Sequence, residues 1–570
     1  MASSDNKLSP VEGIKDESNY LRGNLATEMV DGTDHFSKES IQLIKHFGMY
    51  QQDDRDARAA SRAAGGSGKE YIMMIRTRLP AGLLTSKQLL EELDLCDDIG
   101  NGTLRITSRQ ATQFHGVQKS DVRQLMQRMK NVGLTTLGAC GDVNRNVMCC
   151  PAPFKNNALH DEIQKVSFQI ADHFAPRTGA YREIFLQDPE TGEKIQVDEN
   201  GQEIIEPIYG KHYLPRKFKM GICLPEDNCI DVYTQDLGMI AIHEEGKIIG
   251  YNILVGGGMG RTPSADKTYP ALGLKLTFVA PEDLIGVCEA VVKVQRDYGN
   301  REDRKVARLK YTVRNMGLPE FKKKVEEYFG RDLPEPHAAD VTEFDDHKGW
   351  SAQGDGNWFY GLNVENGRIA DLEGWTLKSA IREICATLEP GIHFTSHQDI
   401  IFSGIAEADK PKLEAILKKH GIALTSEISN TLRWSMACVA WPTCGLSITE
   451  SERALPGMVD DLEKEVAKLG LEDEKFTMRM TGCPNGCARP YNSDIGLVGR
   501  AKEKYTMFLG GRRLGNRLSY IYKDMVPADE VVPELVKVMT VFKEQRQEGE
   551  TLGDFCDRVG QEKLLEATGG

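Results

Sequence analysis

The order of hydrophobic and polar positions predicts a compact unit of strands and helices near the start of the chain. Strict alternation is typical of a half-buried strand, and apolar residues three or four apart indicate one face of a helix. A threonine followed three residues later by glutamine forms a capping box, which favours a helix start. The predicted elements are a strand at 71–79, a helix from Thr85 to about Leu95, strands near 103–107 and 112–117, and a helix from Val122 that stops at Gly133.

The same order of elements returns in the second half of the chain. Residues 104–133 align without gaps on 392–421, with nine identities in thirty positions, where chance gives about two. This offset of 288 residues indicates a duplication. The second copy is predicted to contain a strand at 358–364, a helix from about Thr376 to Leu388, strands near 392–395 and 400–405, and a helix near 411–420.

The order β-α-β-β-α is typical of a ferredoxin-like split unit. Two such halves, distant in sequence, are expected to pair about a pseudo-twofold axis and form one domain. The predicted fold class is therefore α+β, with three further regions around the duplicated halves. The expected boundaries are an N-terminal arm at 1–70, the two halves at 71–139 and 350–426, a central region at 140–349, and a C-terminal region at 427–570.

Composition excludes some classes of protein and indicates a compartment. The chain has 570 residues and a net charge of −14, which disfavours general binding to nucleic acid or anionic membranes but leaves room for a small basic pocket. The N-terminus lacks the basic and apolar segments of a secretory signal, and no stretch approaches about 18 apolar residues. With 13 cysteines, an odd number, we expect a reducing cytoplasmic location with thiols free or bound to metal.

Four cysteines near the C-terminus have the spacing of a metal centre. Cys438 and Cys444 are separated by five residues, and Cys483 and Cys487 by three. Four thiolates are what an iron–sulfur cluster requires. Structural zinc more often uses pairs with two to four intervening residues. From spacing alone, an iron–sulfur cluster is favoured, with a zinc site and four plain buried thiols as alternatives.

The context of these cysteines resembles the siroheme-dependent sulfite and nitrite reductases. The resemblance extends over nearly the whole chain. The motifs that carry it are FGMYQQDDRD (47–56), IRTRLPAG (75–82), ITSRQATQFHG (106–116), GDVNRNV (141–147), YLPRKFK (213–219), NILVGGG (252–258), ENGRI (365–369), ACVAWPTC (437–444), TGCPNGCARP (481–490) and FLGGRRLGNR (508–517).

The resemblance implies a fold, two cofactors and a reaction. The duplicated halves would form the parachute-type domain of this family, and regions 140–349 and 427–570 would be two α+β cofactor-binding domains, the second also carrying the cluster. The implied cofactors are siroheme and a 4Fe–4S cluster held by Cys438, Cys444, Cys483 and Cys487, with Cys487 bridging to the siroheme iron. The implied reaction is the six-electron reduction of sulfite to sulfide, with nitrite reduction as the alternative.

Residues that match the family's motif positions are assigned roles by the same resemblance. Sulfite and the siroheme carboxylates are anionic, which explains a concentration of arginine and lysine. The residues implied to hold and protonate sulfite are Arg76, Arg145, Lys217 and Lys219. The residues implied to contact siroheme are Arg105, Arg109, Gln113, His115, Arg216, Gln398, Asn485 and Arg489.

The lysine pair also bears on the choice of substrate, since sulfite enzymes resemble Lys-x-Lys at 217–219 and nitrite enzymes more often show Lys-x-Asn. A zinc-stabilised binding protein without catalysis is the alternative from another class. The glycine run at 256–260 does not fit a dinucleotide-binding fingerprint. Electrons are therefore expected from a separate donor: an NADPH-dependent flavoprotein subunit is favoured and ferredoxin is the alternative. The arm is a candidate docking element for a flavoprotein, or a strap that packs on the enzyme itself.

The two copies differ where the family places its pocket. Arg105 and Arg109 align with His393 and His397, so the second copy lacks these cations. Cys150 aligns with Cys438. The pair Cys149–Cys150 is interpreted either as a remnant of former ligands or as small residues that fit a core. The remaining cysteines are expected to be ordinary thiols: Cys96, Cys140, Cys223, Cys229, Cys288, Cys385 and Cys556.

Overall fold

A computed structural model describes residues 8–66, 69–187, 206–262 and 265–569 of the chain. The described strands form four five-stranded sheets and one two-stranded sheet. None of the helices in these ranges is both long and apolar enough to cross a membrane.

The N-terminal segment and the first repeat contribute one sheet and its helices. The capping box is present, because the Thr85 hydroxyl accepts from the Gln88 backbone and the Gln88 side chain accepts from the Thr85 backbone. The elements are α1 (Pro10–Glu17), α2 (Leu25–Glu28), α3 (Ser40–Leu43), β1 (Met49–Asp53), α4 (Arg55–Ala63), β2 (Tyr71–Arg76), β3 (Leu83–Thr85), α5 (Ser86–Asp98), β4 (Leu104–Ile106), β5 (Thr112–Val117) and α6 (Val122–Asn131).

The central region forms a mixed sheet covered by helices. Its strand order is sequential, and the first three strands run parallel while the last two are antiparallel. The elements are β6 (Met148–Cys149), α7 (Leu159–His173), β7 (Met220–Cys223), β8 (Leu237–Glu244), β9 (Lys247–Val255), β10 (Leu274–Val279), α8 (Leu284–Tyr298), α9 (Leu309–Met316) and α10 (Leu318–Phe329).

The second repeat has the predicted β-α-β-β-α order with four additional short strands. The elements are β11 (Gly349–Ala352), β12 (Trp358–Leu362), β13 (Arg368–Ile369), β14 (Asp371–Leu372), β15 (Trp375–Thr376), α11 (Leu377–Leu388), β16 (Gly391–Phe394), β17 (Ile400–Ile405) and α12 (Lys410–Lys419). The additional strands are β11, β13, β14 and β15.

The C-terminal region repeats the central sheet. Its strand order is again sequential, with two parallel pairings followed by two antiparallel ones. The elements are α13 (Asn430–Arg433), β18 (Ser435–Ala437), α14 (Leu455–Leu469), β19 (Met478–Thr481), β20 (Ile495–Ala501), β21 (Lys504–Leu509), β22 (Tyr520–Pro527), α15 (Val531–Gln545), α16 (Leu552–Val559) and α17 (Gln561–Ala567).

The two repeats are joined by reciprocal exchange of a strand. The first sheet has the order β1-β2-β5-β4-β13 and the second β11-β12-β17-β16-β3, so each half donates one short strand to the sheet of the other. Gln110 and Gln398, which align in the repeat, both have positive φ, at 55° and 74°. One buried core spans both repeats and the central region, and a second lies within the C-terminal region.

Candidate cofactor and substrate site

The C-terminal sheet brings three of the four predicted cluster cysteines together. Cys438 follows β18 directly, and Cys483 and Cys487 follow β19. Because β18 and β19 are adjacent and parallel, their carboxyl ends meet at one edge of the sheet. The Cys438 backbone N–H donates to Met480 O over 3.1 Å, which ties the start of the first cysteine segment to the second strand.

The four thiols lie close enough to affect one another. Burial and then the neighbouring Cys487 raise the pKa of Cys483 to about 11. The same two causes, in that order, raise the pKa values of Cys438 and Cys444. Without a metal, these thiols therefore stay protonated at neutral pH. Bound iron would remove the penalty, since metal ligation favours the thiolate.

Arg55 at the start of α4 holds the loop that carries Cys444. Its guanidinium donates to three backbone carbonyls, those of Pro442 at 3.1 Å, Ser447 at 3.0 Å and Cys444 at 2.7 Å. The same guanidinium lies 3.7 Å from the centre of the Trp441 ring, a cation–π contact. The N-terminal segment thus fixes the cluster loop from outside the C-terminal region.

The predicted lysine pair lies in the segment just before β7. Phe218 bridges Asn144 in parallel, and the Arg145 N–H donates to Phe218 O over 3.0 Å. Lys217 and Lys219 are two residues apart in this extended segment and therefore share a face. The pairing extends the β6–β7 ladder and brings Arg145 next to both lysines.

Burial and clustered positive charge weaken the protonated state of these lysines. Burial, followed by Arg145, Arg308 and Arg216, lowers the pKa of Lys217 to about 7. Burial, followed by Arg109 and Lys217, lowers the pKa of Lys219 well below its ordinary value. Such a site gains stability from a bound anion, because an anion restores the favourable environment of each ammonium.

One cavity connects the lysines with the cluster segment. Six of the predicted site residues line it, together with other residues of the first repeat, the central region and the C-terminal region. The full lining is Ser108, Arg109, Met148, Lys217, Lys219, Thr234, Gln235, Met259, Gly260, Arg308, Asn485, Gly486, Cys487 and Arg489. Cationic side chains and an exposed thiol, Cys487, therefore face one space.

A row of predicted residues crosses the first sheet. Gln113 on β5 lies opposite Arg76 on β2 and opposite Arg105 on β4, and Arg105 in turn lies opposite Arg368 on β13. His115 is two residues from Gln113 and points to the same face. The exchanged strand β13 thus extends the polar row across the boundary between the repeats.

Three of the predicted siroheme-contacting arginines make hydrogen bonds or ion pairs with other residues of the chain. Arg105 Nε lies 3.0 Å from Glu452 Oε2, and Arg105 Nη2 donates to two carbonyls. Arg109 donates to Gln235 Oε1 over 2.8 Å. Arg489 Nε donates to Asp231 Oδ2 over 2.5 Å. These contacts orient the guanidinium groups, and contact with siroheme stays a prediction for each.

The remaining predicted residues surround the same region. Arg76 Nη1 donates to Cys140 Sγ over 3.3 Å, and Arg145 Nη2 donates to Tyr50 Oη over 3.5 Å. Burial, and then Arg304, lower the pKa of Arg216. Gln398 is buried at the junction of the repeats.

Comparison with known proteins gives the family. The "Nitrite and sulphite reductase 4Fe-4S domain" matches residues 166–333 and 429–569, and the "Nitrite/Sulfite reductase ferredoxin-like half domain" matches residues 66–132 and 351–420. The chain belongs to the nitrite and sulphite reductase family. These matches account for the duplicated halves that the repeat predicted.

Similar proteins include two curated relatives and one solved structure. The chain is 42% identical over 557 residues to a sulfite reductase (NADPH) hemoprotein beta-component of Staphylococcus haemolyticus, covering 98% of this chain and 96% of that protein. It is 40% identical over 574 residues to a sulfite reductase (ferredoxin) of Synechococcus elongatus, covering 98% and 90%. The structure of Mycobacterium tuberculosis NirA matches with a TM-score of 0.80 at 25% identity, covering 98% of this chain and 97% of that one.

The residues fit the cofactors of the family, a 4Fe–4S cluster and siroheme. Four cysteines lie in the two segments that follow the adjacent strands β18 and β19, and four thiolates are the donor set that a cluster requires. Buried polar atoms around the cavity lack partners in the described part of the chain, as an anionic, carboxylate-rich macrocycle would require. The atoms among them that can donate to a carboxylate are Arg76 Nε, Arg109 Nε and one ring nitrogen of His115.

Sequence reasoning missed several residues of the site. Arg308 lines the cavity and pairs with Asp236 over 2.6 Å. Gln235 lines it and holds Arg109. Arg55 lies within the FGMYQQDDRD motif, but nothing local indicates that it reaches a loop almost 390 residues away. The signal that a single sequence offers for Arg308 is its place in the charged run RLK at 308–310.

Proposed function

We propose that this chain is the hemoprotein of an assimilatory sulfite reductase and catalyses the six-electron reduction of sulfite to sulfide. The observation that carries the proposal is the cavity in which Lys217 and Lys219 face Cys487. The relatives, which are sulfite reductases named for either of two electron donors, support the same reaction. When bound, siroheme and the cluster supply the redox chemistry that side chains cannot provide.

The chain's own residues would bind the anion and supply protons. Lys217, Lys219, Arg145 and Arg76 are proposed to hold the sulfite oxygens, because ammonium and guanidinium groups donate strong charge-assisted hydrogen bonds to oxyanions. The pKa of Lys217, lowered to about 7 by burial and then Arg145, suits proton donation at neutral pH. Each oxygen that leaves as water needs two protons, so a poised donor beside the anion matters for every step.

The siroheme contacts in this proposal are the eight residues that the family motifs indicate. Arg109, Asn485 and Arg489 line the cavity and support it directly. Gln113 and His115 support it through their place on the polar row beside Arg105. Arg216 and Gln398 complete the set.

A separate protein would deliver the electrons. An NADPH-dependent flavoprotein subunit is the favoured donor, in line with the name of the Staphylococcus haemolyticus relative, and ferredoxin is the alternative, in line with that of Synechococcus elongatus. Sulfide formation should be measured with each donor side by side. Sulfide formation with ferredoxin and none with an NADPH flavoprotein would make ferredoxin the donor instead.

Lys217→Met tests the proposed anion site. Removing one such donor costs about 2–4 kcal/mol of transition-state stabilisation, so sulfide formation from a reduced artificial donor should fall about 30- to 900-fold. Lys211→Met is the matched control, since Lys211 is an exposed lysine of the same segment that pairs with Asp16. Siroheme absorbance confirms loading, and a colourless protein would instead favour the zinc-stabilised alternative. Full activity in loaded Lys217→Met would refute the assignment.

Lys219→Asn tests the preference for sulfite over nitrite. It converts Lys-x-Lys at 217–219 to the Lys-x-Asn form, removing one cation from the cavity. We expect the ratio of kcat/KM for sulfite to that for nitrite to fall at least tenfold, or about 1.4 kcal/mol. An unchanged ratio would mean that Lys219 does not determine the substrate.

A further inference from the structure

A second cluster of ligand-type side chains lies outside the cavity. Cys150, Asp227, Cys229 and His347 are all buried, and each offers one ligand atom within 4.8 Å of the others. Cys150 Sγ lies 2.8 Å from Asp227 Oδ2 and 3.4 Å from His347 Nε2. His347 Nε2 lies 3.0 Å from Asp227 Oδ2. Two thiols, an imidazole and a carboxylate thus converge.

The register of the two mixed sheets relates this cluster to the predicted iron–sulfur ligands. Met148 on β6 pairs with Gly221 on β7, and the aligned Met436 on β18 pairs with Arg479 on β19. This pairing aligns the segment after β7 with the segment after β19 at an offset of 258 residues. Residues 229–238 (CIDVYTQDLG) and 487–496 (CARPYNSDIG) then share four identities in ten positions.

The alignment at an offset of 258 places Cys229 on Cys487, and the alignment at an offset of 288 places Cys150 on Cys438. Both thiols of the second cluster therefore occupy positions of predicted iron–sulfur ligands. Pro225 stands where the other half has Cys483, so the thiolates for a four-iron cluster are not all present. Asp227, on the position of Asn485, and His347 instead complete a set of four single-atom donors.

We propose that Cys150, Asp227, Cys229 and His347 bind one zinc ion, a structural site on the pseudo-symmetric counterpart of the iron–sulfur cluster. Zinc sites are tetrahedral, with zinc–sulfur bonds of about 2.3 Å and zinc–nitrogen or zinc–oxygen bonds of about 2.0–2.2 Å. Such a tetrahedron has edges of roughly 3.3–3.8 Å. The three distances among the ligand atoms of Cys150, Asp227 and His347, 2.8, 3.0 and 3.4 Å, need only a small expansion, and the Cys229 sulfur lies within 4.8 Å of each.

The surroundings support a metal more than a set of hydrogen bonds. Asp227 Oδ1 and His347 Nδ1 are buried and lack hydrogen-bond partners among the described residues. His160 has both ring nitrogens unpartnered, with Nε2 3.8 Å from Asp227 Oδ2, and can orient the carboxylate when zinc binds. The Phe154 ring packs edge-on against His160 and His347 and contributes to excluding water.

Binding requires both thiols as thiolates. Each thiol loses its proton to solvent as its sulfur–zinc bond forms, and a protonated His347 ring releases a third proton because only the neutral imidazole binds zinc; no electrons are exchanged. The zinc would join β6 and the segment after β7 to His347, just before β11. It would thus connect the central sheet to the second repeat.

The test is metal content and zinc absorption spectroscopy of the loaded enzyme from zinc-supplemented cells. We expect about one zinc per chain, and zinc-edge spectra, which siroheme and iron do not obscure, with two sulfur neighbours near 2.3 Å. The double variant Cys150→Ser/Cys229→Ser should retain less than about a tenth of the zinc, whereas Cys288→Ala, which removes a buried thiol from α8, should keep all of it.

Two outcomes would overturn the zinc site. The first is wild-type enzyme that holds no zinc, or holds iron at these residues instead. The second is zinc with no sulfur neighbours, or zinc retained in full by the folded double variant, which would show an adventitious surface ion. If the double variant does not fold, the wild-type spectrum alone decides. Sulfite reduction is measured separately, so failure here leaves the proposed function untouched.

Discussion

Asp231 carries the clearest energetic prediction at the junction of the central and C-terminal regions. Its side chain is fully buried, and its Oδ2 accepts from Arg479 Nη1 over 2.7 Å and from Arg489 Nε over 2.5 Å. Arg489 also donates to the carbonyls of Ser108 and Ser396. One carboxylate thus neutralises two buried guanidinium groups, one of which lines the cavity.

Asp231→Asn removes the charge and turns one acceptor oxygen into a donor, while the shape of the side chain is kept. Asp231 has a φ of 52°, a left-handed conformation that asparagine tolerates almost as well as aspartate. The backbone should therefore not change, and the amide oxygen can still accept one hydrogen bond. What is lost is the negative charge between Arg479 and Arg489.

The expected loss of stability follows from the pKa of Asp231 and from the two arginines that the substitution leaves without a counter-charge. Burial opposes the charge, but Arg479 and Arg489 outweigh it and hold the pKa of Asp231 at about 2. Relative to about 3.9 in the unfolded chain, this is about 2.6 kcal/mol of stability at neutral pH. Breaking a buried pair by removing one partner costs about 3–5 kcal/mol. We therefore expect a loss of about 3–5 kcal/mol.

Thermal unfolding of the loaded enzyme measures this loss. A decrease in Tm on the order of 10 °C is expected if the unit that unfolds cooperatively has about 150–250 residues. Since the folded pKa is depressed, the contribution is complete above about pH 4 and is lost only as pH falls through about 2. The difference in Tm between wild type and variant should thus be constant from pH 5 to pH 8.

Asp494→Asn is the matched control. Asp494 is also buried in the C-terminal region, but its carboxylate accepts from the Thr477 backbone and hydroxyl rather than from arginine. Its replacement should cost less than about 1.5 kcal/mol. Equal losses for the two variants, or a loss below about 1 kcal/mol for Asp231→Asn, would refute the role of the paired charges.

Two further predictions concern the cluster loop and a buried acid. Arg55→Ala removes three hydrogen bonds to the loop that carries Cys444, so we expect cluster iron to be lost to a chelator at least about tenfold faster. Arg58→Ala on the same helix should leave the rate of iron loss unchanged. Equal rates for the two variants would contradict the role of Arg55 in holding the loop. Burial raises the pKa of Glu92, which accepts from Thr112, to about 8. Stability therefore falls as pH rises from about 4 to 8, and the Tm advantage of Glu92→Gln should grow over that range; a constant advantage would contradict this.

Local signals predicted most of the secondary structure of the duplicated halves. The capping box at Thr85 starts α5 as expected, and the strands predicted at 112–117 and 400–405 have those bounds. Capping, alternation and helical spacing depend on residues close in sequence, and for that reason one sequence suffices. The predicted helix from Val122 ends at Asn131, two residues before Gly133, whose φ is 76°.

Long-range features could not be predicted in the same way. The exchange of β3 and β13 depends on pairings between residues 263 to 310 positions apart, and single-sequence patterns carry no information on such partners. The same holds for the contact of Arg55 with the Cys444 loop. Cys229, expected as an ordinary thiol, lies beside Cys150 only because the β6–β7 register brings the two segments together.

The acidic net charge and the basic cavity are two parts of one arrangement. Buried or largely buried carboxylates pair with several of the arginines in and around the cavity. These pairs are Arg105 with Glu452, Arg308 with Asp236, Arg304 with Asp142, and both Arg479 and Arg489 with Asp231. A guanidinium paired in this way is held in place and has less charge left for a ligand, although burying the two charges costs desolvation free energy.

Lys217 and Lys219 differ from these arginines. In the described ranges, neither ammonium makes a hydrogen bond or an ion pair, although both line the cavity. Their charge, like that of Arg109, which donates to Gln235 and to backbone carbonyls, is not paired with a carboxylate among the described residues. Burial and then the neighbouring Arg145 lower the pKa of Lys217. An anion entering this space therefore meets two cations whose charge is unpaired, which is why substitution there should affect anion turnover more than substitution of a carboxylate-paired arginine.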